Sequence, residues 1–155
     1  MLKQAYWPGL LSNSQHQDLR YNPMVHVLCN MRHGAHKLGS LAHHSTRCPE
    51  AQHYCTCAEP PSLDTPWHCL LNCSHNTEAI AKWDIFLRQQ LPNPIYAAYN
   101  QKPTLGKWVT INRWLSTRGL LTEGQTSAVL HGLLKHIYKC IKSRPQYHLY
   151  IKFNK

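Results

Sequence analysis

The chain has 155 residues, enough for one modest core, and sets 17 Lys and Arg against 7 Asp and Glu, a formal net charge of +10 before any of its 12 histidines is protonated. Such an excess favours a polyanionic partner. The seven acids (Asp18, Glu50, Glu59, Asp64, Glu78, Asp84 and Glu123) stand singly, which argues against the polymerases, RNase H folds and nucleases that cluster carboxylates around two metal ions.

No stretch approaches the roughly 18 to 20 apolar residues of a membrane span, and Met1 to Leu11 lacks the apolar run of a secretory signal. An intracellular chain, nuclear or cytoplasmic, is the expectation. In a reducing compartment its seven cysteines read as metal ligands and buried thiols, not as a disulfide framework.

Residues 1–20, with Trp7-Pro8-Gly9 and a polar run to Gln17, carry no sustained period and read as an N-terminal arm or loop. Asn22-Pro23 is a helix-start pattern. Tyr21, Met24, Val25, Leu28 and Met31 follow at helical spacing up to Gly34, predicting a helix over about 23–33. Residues 34–66, rich in His, Pro, Cys and Ser, show no period and need another source of order.

A second helix is predicted from a cap at Asn76, with Ile80, Trp83, Phe86 and Leu87 as its core stripe and Pro92 and Pro94 as its stop. A third spans about 105–117, with Trp108, Ile111 and Leu115 on one side, Trp114 pointing elsewhere and Gly119 closing it. The best-marked helix runs from Thr122 to about Ser143 and ends before Pro145. Thr122 and Gln125 form a capping-box pattern there, and Val129, Leu130, Leu133, Leu134, Ile137, Tyr138 and Ile141 make its apolar stripe.

On the opposite face of that helix His131, Lys135, Lys139 and Lys142 stack in a basic row suited to phosphates. The tail from Tyr147 to Asn154 alternates apolar and polar residues like a strand.

The sharpest local signal is Cys55-Thr56-Cys57, then His68 after ten intervening residues, then Cys73 five positions later. Three thiolates and an imidazole in two close pairs suit tetrahedral zinc, and each pair closes a small chelate loop while the proline-bearing stretch from Ala58 to Trp67 stays irregular between them. With all four positions filled the zinc would be structural, with no place for an activated water. Cys48, His53, Cys69 and His75 are alternative ligands. Cys29 and Cys140 sit inside apolar helical patterns and read as buried thiols.

These residues also carry a resemblance. The stretch Val27-Leu-Cys-Asn-Met-Arg32-His33-Gly34-Ala-His36-Lys-Leu38, then Cys55-Thr-Cys57, Asp64-Thr-Pro-Trp-His68-Cys-Leu-Leu-Asn-Cys73 and a helix containing Trp83 resembles the zinc-binding segment of non-LTR retrotransposon reverse transcriptases. One residue separates the first two cysteines where that segment usually has two. The resemblance, over about residues 24–90, implies a part lying beyond the polymerase and RNase H regions, stabilised by zinc and associated with binding element RNA or target DNA. It implies no catalysis in this chain, which lacks the polymerase's Asp-Asp motif.

The reading is therefore a mainly α fold, a small helical domain with an irregular, zinc-stapled loop region in its middle. Its expected divisions are an arm (1–20), a zinc-binding segment (21–92) and a helical extension packed on it (93–155). The expected function is a non-catalytic structural-zinc module that binds nucleic acid, with Arg32, Lys37, Lys135, Lys139 and Lys142 on phosphates. Competing readings are a zinc-organised protein-interaction module anchored by Trp67, Trp83 and Trp108, and a decayed mobile-element fragment. A zinc hydrolase or deaminase is disfavoured, since no His-x-Glu or His-Glu-x-x-His occurs.

Overall fold

The computed structural model describes residues 23–34, 38, 54–117 and 119–144, and within them the chain is mainly helical. Six α-helices follow in order: α1 (Pro23–Arg32), α2 (Pro66–Leu71), α3 (Thr77–Gln90), α4 (Asn93–Asn100), α5 (Thr104–Ser116) and α6 (Glu123–Ile141). Between α1 and α2 lies a small antiparallel hairpin, β1 (Tyr54–Cys55) and β2 (Ser62–Leu63), with Tyr54 opposite Leu63 and Cys55 opposite Ser62. The predicted arm and the strand-like tail lie outside the described residues.

The helix α1 opens on Pro23, whose missing N–H costs nothing in a first turn, and buries Met24, Val27, Leu28, Cys29 and Met31. It stops at Gly34, whose φ of 71° is a backbone state that residues with a Cβ rarely adopt. In α6 the capping box forms as the sequence predicts: Gln125 N–H donates to Thr122 Oγ1 at 3.2 Å, and Thr122 N–H donates to Gln125 Oε1 at 2.9 Å. Val129, Leu130, Leu133, Leu134, Ile137, Cys140 and Ile141 form its buried face. Tyr138 departs from the expected stripe: it is exposed, with Lys142 Nζ 4.1 Å from its ring centre.

Other parts of the fold also depart from the sequence reading. The small hairpin forms within the 34–66 stretch that carries no period, and two helices, α2 and α4, have no counterpart in the sequence reading. Pro94 stands in the first turn of α4, where proline starts a helix as readily as it stops the preceding one. Trp114, expected to point away, is buried against Tyr99 of α4 with ring centres 5.3 Å apart. Asn76 does not cap α3 with its side chain. It is buried, follows a single 3₁₀ turn (Ser74–Asn76), and donates from Nδ2 to the Cys69 carbonyl at 2.9 Å.

One continuous core draws on α1, α2, α3, α4, α5 and α6. The pivotal helix is α6, which packs on α1, α2 and α3, while α5 covers α2. Its approach to α3 is close because residue 132 is glycine: a Cβ there would lie 2.4 Å from Phe86 Cε1. Phe86, Trp83 and His136 stack in series, with Trp83 5.6 Å from Phe86 and 5.3 Å from His136, the latter pair within 10° of parallel.

His136 is buried and its Nε2–H donates to the Leu70 carbonyl at 2.6 Å. That carbonyl belongs to the last turn of α2, where no intrahelical partner exists. Burial pushes the His136 pKa down to about 4, so the ring stays neutral when folded. Between that value and the unfolded histidine value of about 6.5 the unfolded chain binds the extra proton, so folding stability rises with pH through this window. In urea titrations of the intact protein, lowering pH from about 6.5 to 4 should remove up to about 3 kcal/mol through this group. His136→Gln keeps a donor for Leu70 and should flatten the curve by that amount. Parallel curves for the two proteins would refute this role.

Candidate metal centre

The site is built around α2, six residues long and carrying His68. Thr65 caps its start, accepting from the His68 N–H at 3.1 Å, and Pro66 occupies the first turn. Its end is tied by two side chains from elsewhere, Asn76 on the Cys69 carbonyl and His136 on the Leu70 carbonyl. His68 is thereby fixed in backbone position and is itself buried.

The hairpin supplies Cys55 from β1 and Cys57 just past it, and Cys73 follows α2 at the start of the 3₁₀ turn. Ser74 Oγ donates to the Cys57 carbonyl at 2.8 Å, tying the hairpin to the segment that carries Cys73. The ligand atoms of Cys55, Cys57, His68 and Cys73 all lie within 4.8 Å of one another. Cys55 and Cys73 sulfurs are 3.6 Å apart, and Cys57 Sγ is 3.4 Å from His68 Nε2. Tetrahedral zinc with Zn–S near 2.3 Å and Zn–N near 2.0–2.1 Å sets roughly 3.8 Å between two sulfurs and roughly 3.6 Å between sulfur and nitrogen. The Cys55–Cys73 and Cys57–His68 separations are each within about 0.2 Å of those edges. No disulfide occurs among the described residues.

These are the four ligands the sequence spacing selected, so the single residue between Cys55 and Cys57 does not prevent convergence. Of the alternative ligands, Cys69 is fully buried in the core outside the quartet, with Asn76 Nδ2 3.9 Å from its sulfur. His75 is exposed on the 3₁₀ turn. Cys48 and His53 lie outside the described residues. Cys29 and Cys140 are buried, as their positions in apolar patterns predict.

Behind the quartet lies an ion pair that no local motif announces. Arg144, just past α6, reaches Asp64 with Nε to Oδ2 at 2.8 Å and Nη2 to Oδ1 at 2.9 Å, both side chains about 3% exposed. Burial opposes the guanidinium's charge, but the Cys69 sulfur, Asp64 and a hydrogen bond to the Cys73 sulfur outweigh it and hold its pKa above the ordinary arginine value. Burial likewise pushes the Cys55 thiol up to about 12. A thiolate at Cys55 therefore requires a cation beside it, and metal binding must release that proton.

The residues singled out for phosphate contact fall into three groups. Lys135, Lys139 and Lys142 are exposed on α6 together with His131. Arg32 is half-buried and donates to Ser116 Oγ at the end of α5, so it serves a helix–helix seam. Lys37 lies outside the described residues. Among the expected protein-binding anchors, Trp83 and Trp108 are buried core residues, and Trp67 packs partly buried against the core. No described helix is long and apolar enough to cross a membrane.

Comparison with protein-family models, curated proteins and solved structures found no match. By its own geometry the cysteine–histidine quartet could hold a metal ion.

Removing one partner of a buried, bidentate ion pair strands the other's charge, at a cost of roughly 3–5 kcal/mol. Asp64→Ala should lower stability by about that amount and weaken metal retention against a chelator, since Arg144 bridges Asp64 and Cys73. Asp64→Asn keeps the shape and one acceptor and should cost less. Equal stability of Asp64→Ala and the parent in urea melts would show that the pair holds nothing together.

Proposed function

We propose that the chain is a non-catalytic module in which structural zinc, held by Cys55, Cys57, His68 and Cys73, fixes the middle of a helical domain whose α6 face binds nucleic acid. Four protein ligands complete a tetrahedral shell, so the metal's contribution is to staple the hairpin to α2. The chemistry of the donor set, three sulfurs and one imidazole, favours zinc over harder cations.

The observation that carries the nucleic-acid reading is the exposed row of His131, Lys135, Lys139 and Lys142 on one helix. It belongs to a chain with ten more cationic than anionic side chains. Cations three and four positions apart on a helix repeat about every 5–6 Å, which lets successive side chains meet successive phosphates. The resemblance to the zinc-binding segment of non-LTR retrotransposon reverse transcriptases points the same way, toward element RNA or target DNA. The burial of Trp83 and Trp108 weighs against the protein-interaction alternative.

Binding measured by fluorescence anisotropy across a salt series tests the reading. Affinity for a labelled RNA or DNA should fall steeply with salt, and Lys135→Gln, Lys139→Gln and Lys142→Gln together should reduce the slope of log K against log salt by about 2 to 3. Binding that is insensitive to salt and to the triple substitution would overturn it.

A further inference from the structure

Resting on the nucleic-acid reading above, we propose that the groove between α3 and α6 seats a short single-stranded segment, with phosphates on the lysines that line it and a base against Phe86. The groove has a volume of about 340 Å³. A second hollow of about 320 Å³ shares Lys82 and Lys139 with it and continues toward His75.

Cations stand on both walls, not only on the α6 row. Lys82 comes from α3, and Lys135 and Lys139 come from α6. Glu78, in the second hollow, borders this path and pairs with Lys82 at 2.6 Å, so the net positive charge of the path comes from Lys135 and Lys139. Charge complementarity therefore selects an anionic occupant. From Ala128 to Lys139 the α6 wall runs roughly 16 Å at 1.5 Å per residue, long enough for more than one nucleotide.

The aromatic lining adds strandedness. Phe86 is half-buried at the groove, lies against Gly132, and is backed by the parallel stack of Trp83 and His136. A ring held from behind by two others is a firm platform, and stacking on such a ring accepts any base. Bases in a duplex are already stacked on their neighbours and present only edges. A duplex could reach the lysines, but not the ring.

The test uses the intact zinc-loaded protein, a labelled uridine-rich 12-nucleotide RNA and a hairpin duplex of equal charge. The single strand should bind more tightly than the duplex. Phe86→Leu should weaken the single strand about tenfold without altering its salt slope, and Phe86→Tyr should restore it. Lys82→Gln, an exposed change on the α3 wall, should reduce the slope by about 0.7. Lys107→Gln, outside the groove, should do neither.

Should Phe86→Leu fail to fold, as judged by circular dichroism, the Lys82→Gln slope carries the decision. Unchanged single-strand binding in Phe86→Leu and Lys82→Gln, with binding still sensitive to the α6 lysines, overturns the groove and spares the nucleic-acid reading. Equal affinity for strand and duplex does the same. Absence of binding to either RNA overturns both.

Discussion

A helix of six residues does not hold itself together in water, because nucleation fixes several residues before the first hydrogen bonds repay the loss of freedom. The helix α2 is such a segment, yet the cysteine–histidine quartet and α6 both converge on it. Its order is supplied from outside at each end. Thr65 and Pro66 satisfy its start, Asn76 and His136 satisfy carbonyls at its end, and His68 places it in the quartet with three cysteines from flanking segments. The architecture of the middle of the chain depends on that convergence.

Charge links this centre to the surface. Zinc with three thiolates and a neutral imidazole carries a net charge of −1, which a low-dielectric surrounding penalises unless a cation answers it. Arg144 lies beside the quartet and shares its charge between Asp64 and the Cys73 sulfur, which would offset part of that penalty. Because Arg144 follows directly on α6, the helix with the exposed basic row is anchored at its C-terminal end to the metal centre. The same helix is held at its middle by the His136 bond to α2. A metal bound at the quartet would thus be mechanically coupled to the position of the basic face, while the face itself remains solvated.

Much of this was legible from sequence because it is local. The start and stop of α1, the capping box of α6 and the core faces of α3, α5 and α6 follow from residues within a few positions of one another. So does the quartet, since thiolate and imidazole spacing is a short-range signal. What escaped was short or distant. The helix α2 is less than two turns long and lies among prolines and cysteines, too brief for a period to register. Pro94 reads as a stop for α3 unless one knows that α4 begins there. Arg144 meets Asp64 across 80 positions and His136 meets Leu70 across 66, and nothing about either residue's neighbours separates it from the other basic side chains. Arg32 is the complementary case: its motif context suggests a ligand-facing cation, and the tertiary fold also gives it a hydrogen bond to Ser116 that no local pattern announces.

The central claim is that one zinc ion organises the middle of the fold, and metal stoichiometry tests it most directly. Protein purified without added metal should show one zinc per chain by native mass spectrometry, and a chelator should remove it together with a large part of the helical circular dichroism signal. His68→Ala and Cys73→Ser should each lose the ion and the same signal. A metal-free protein with full helicity, unchanged by either substitution, would contradict the account.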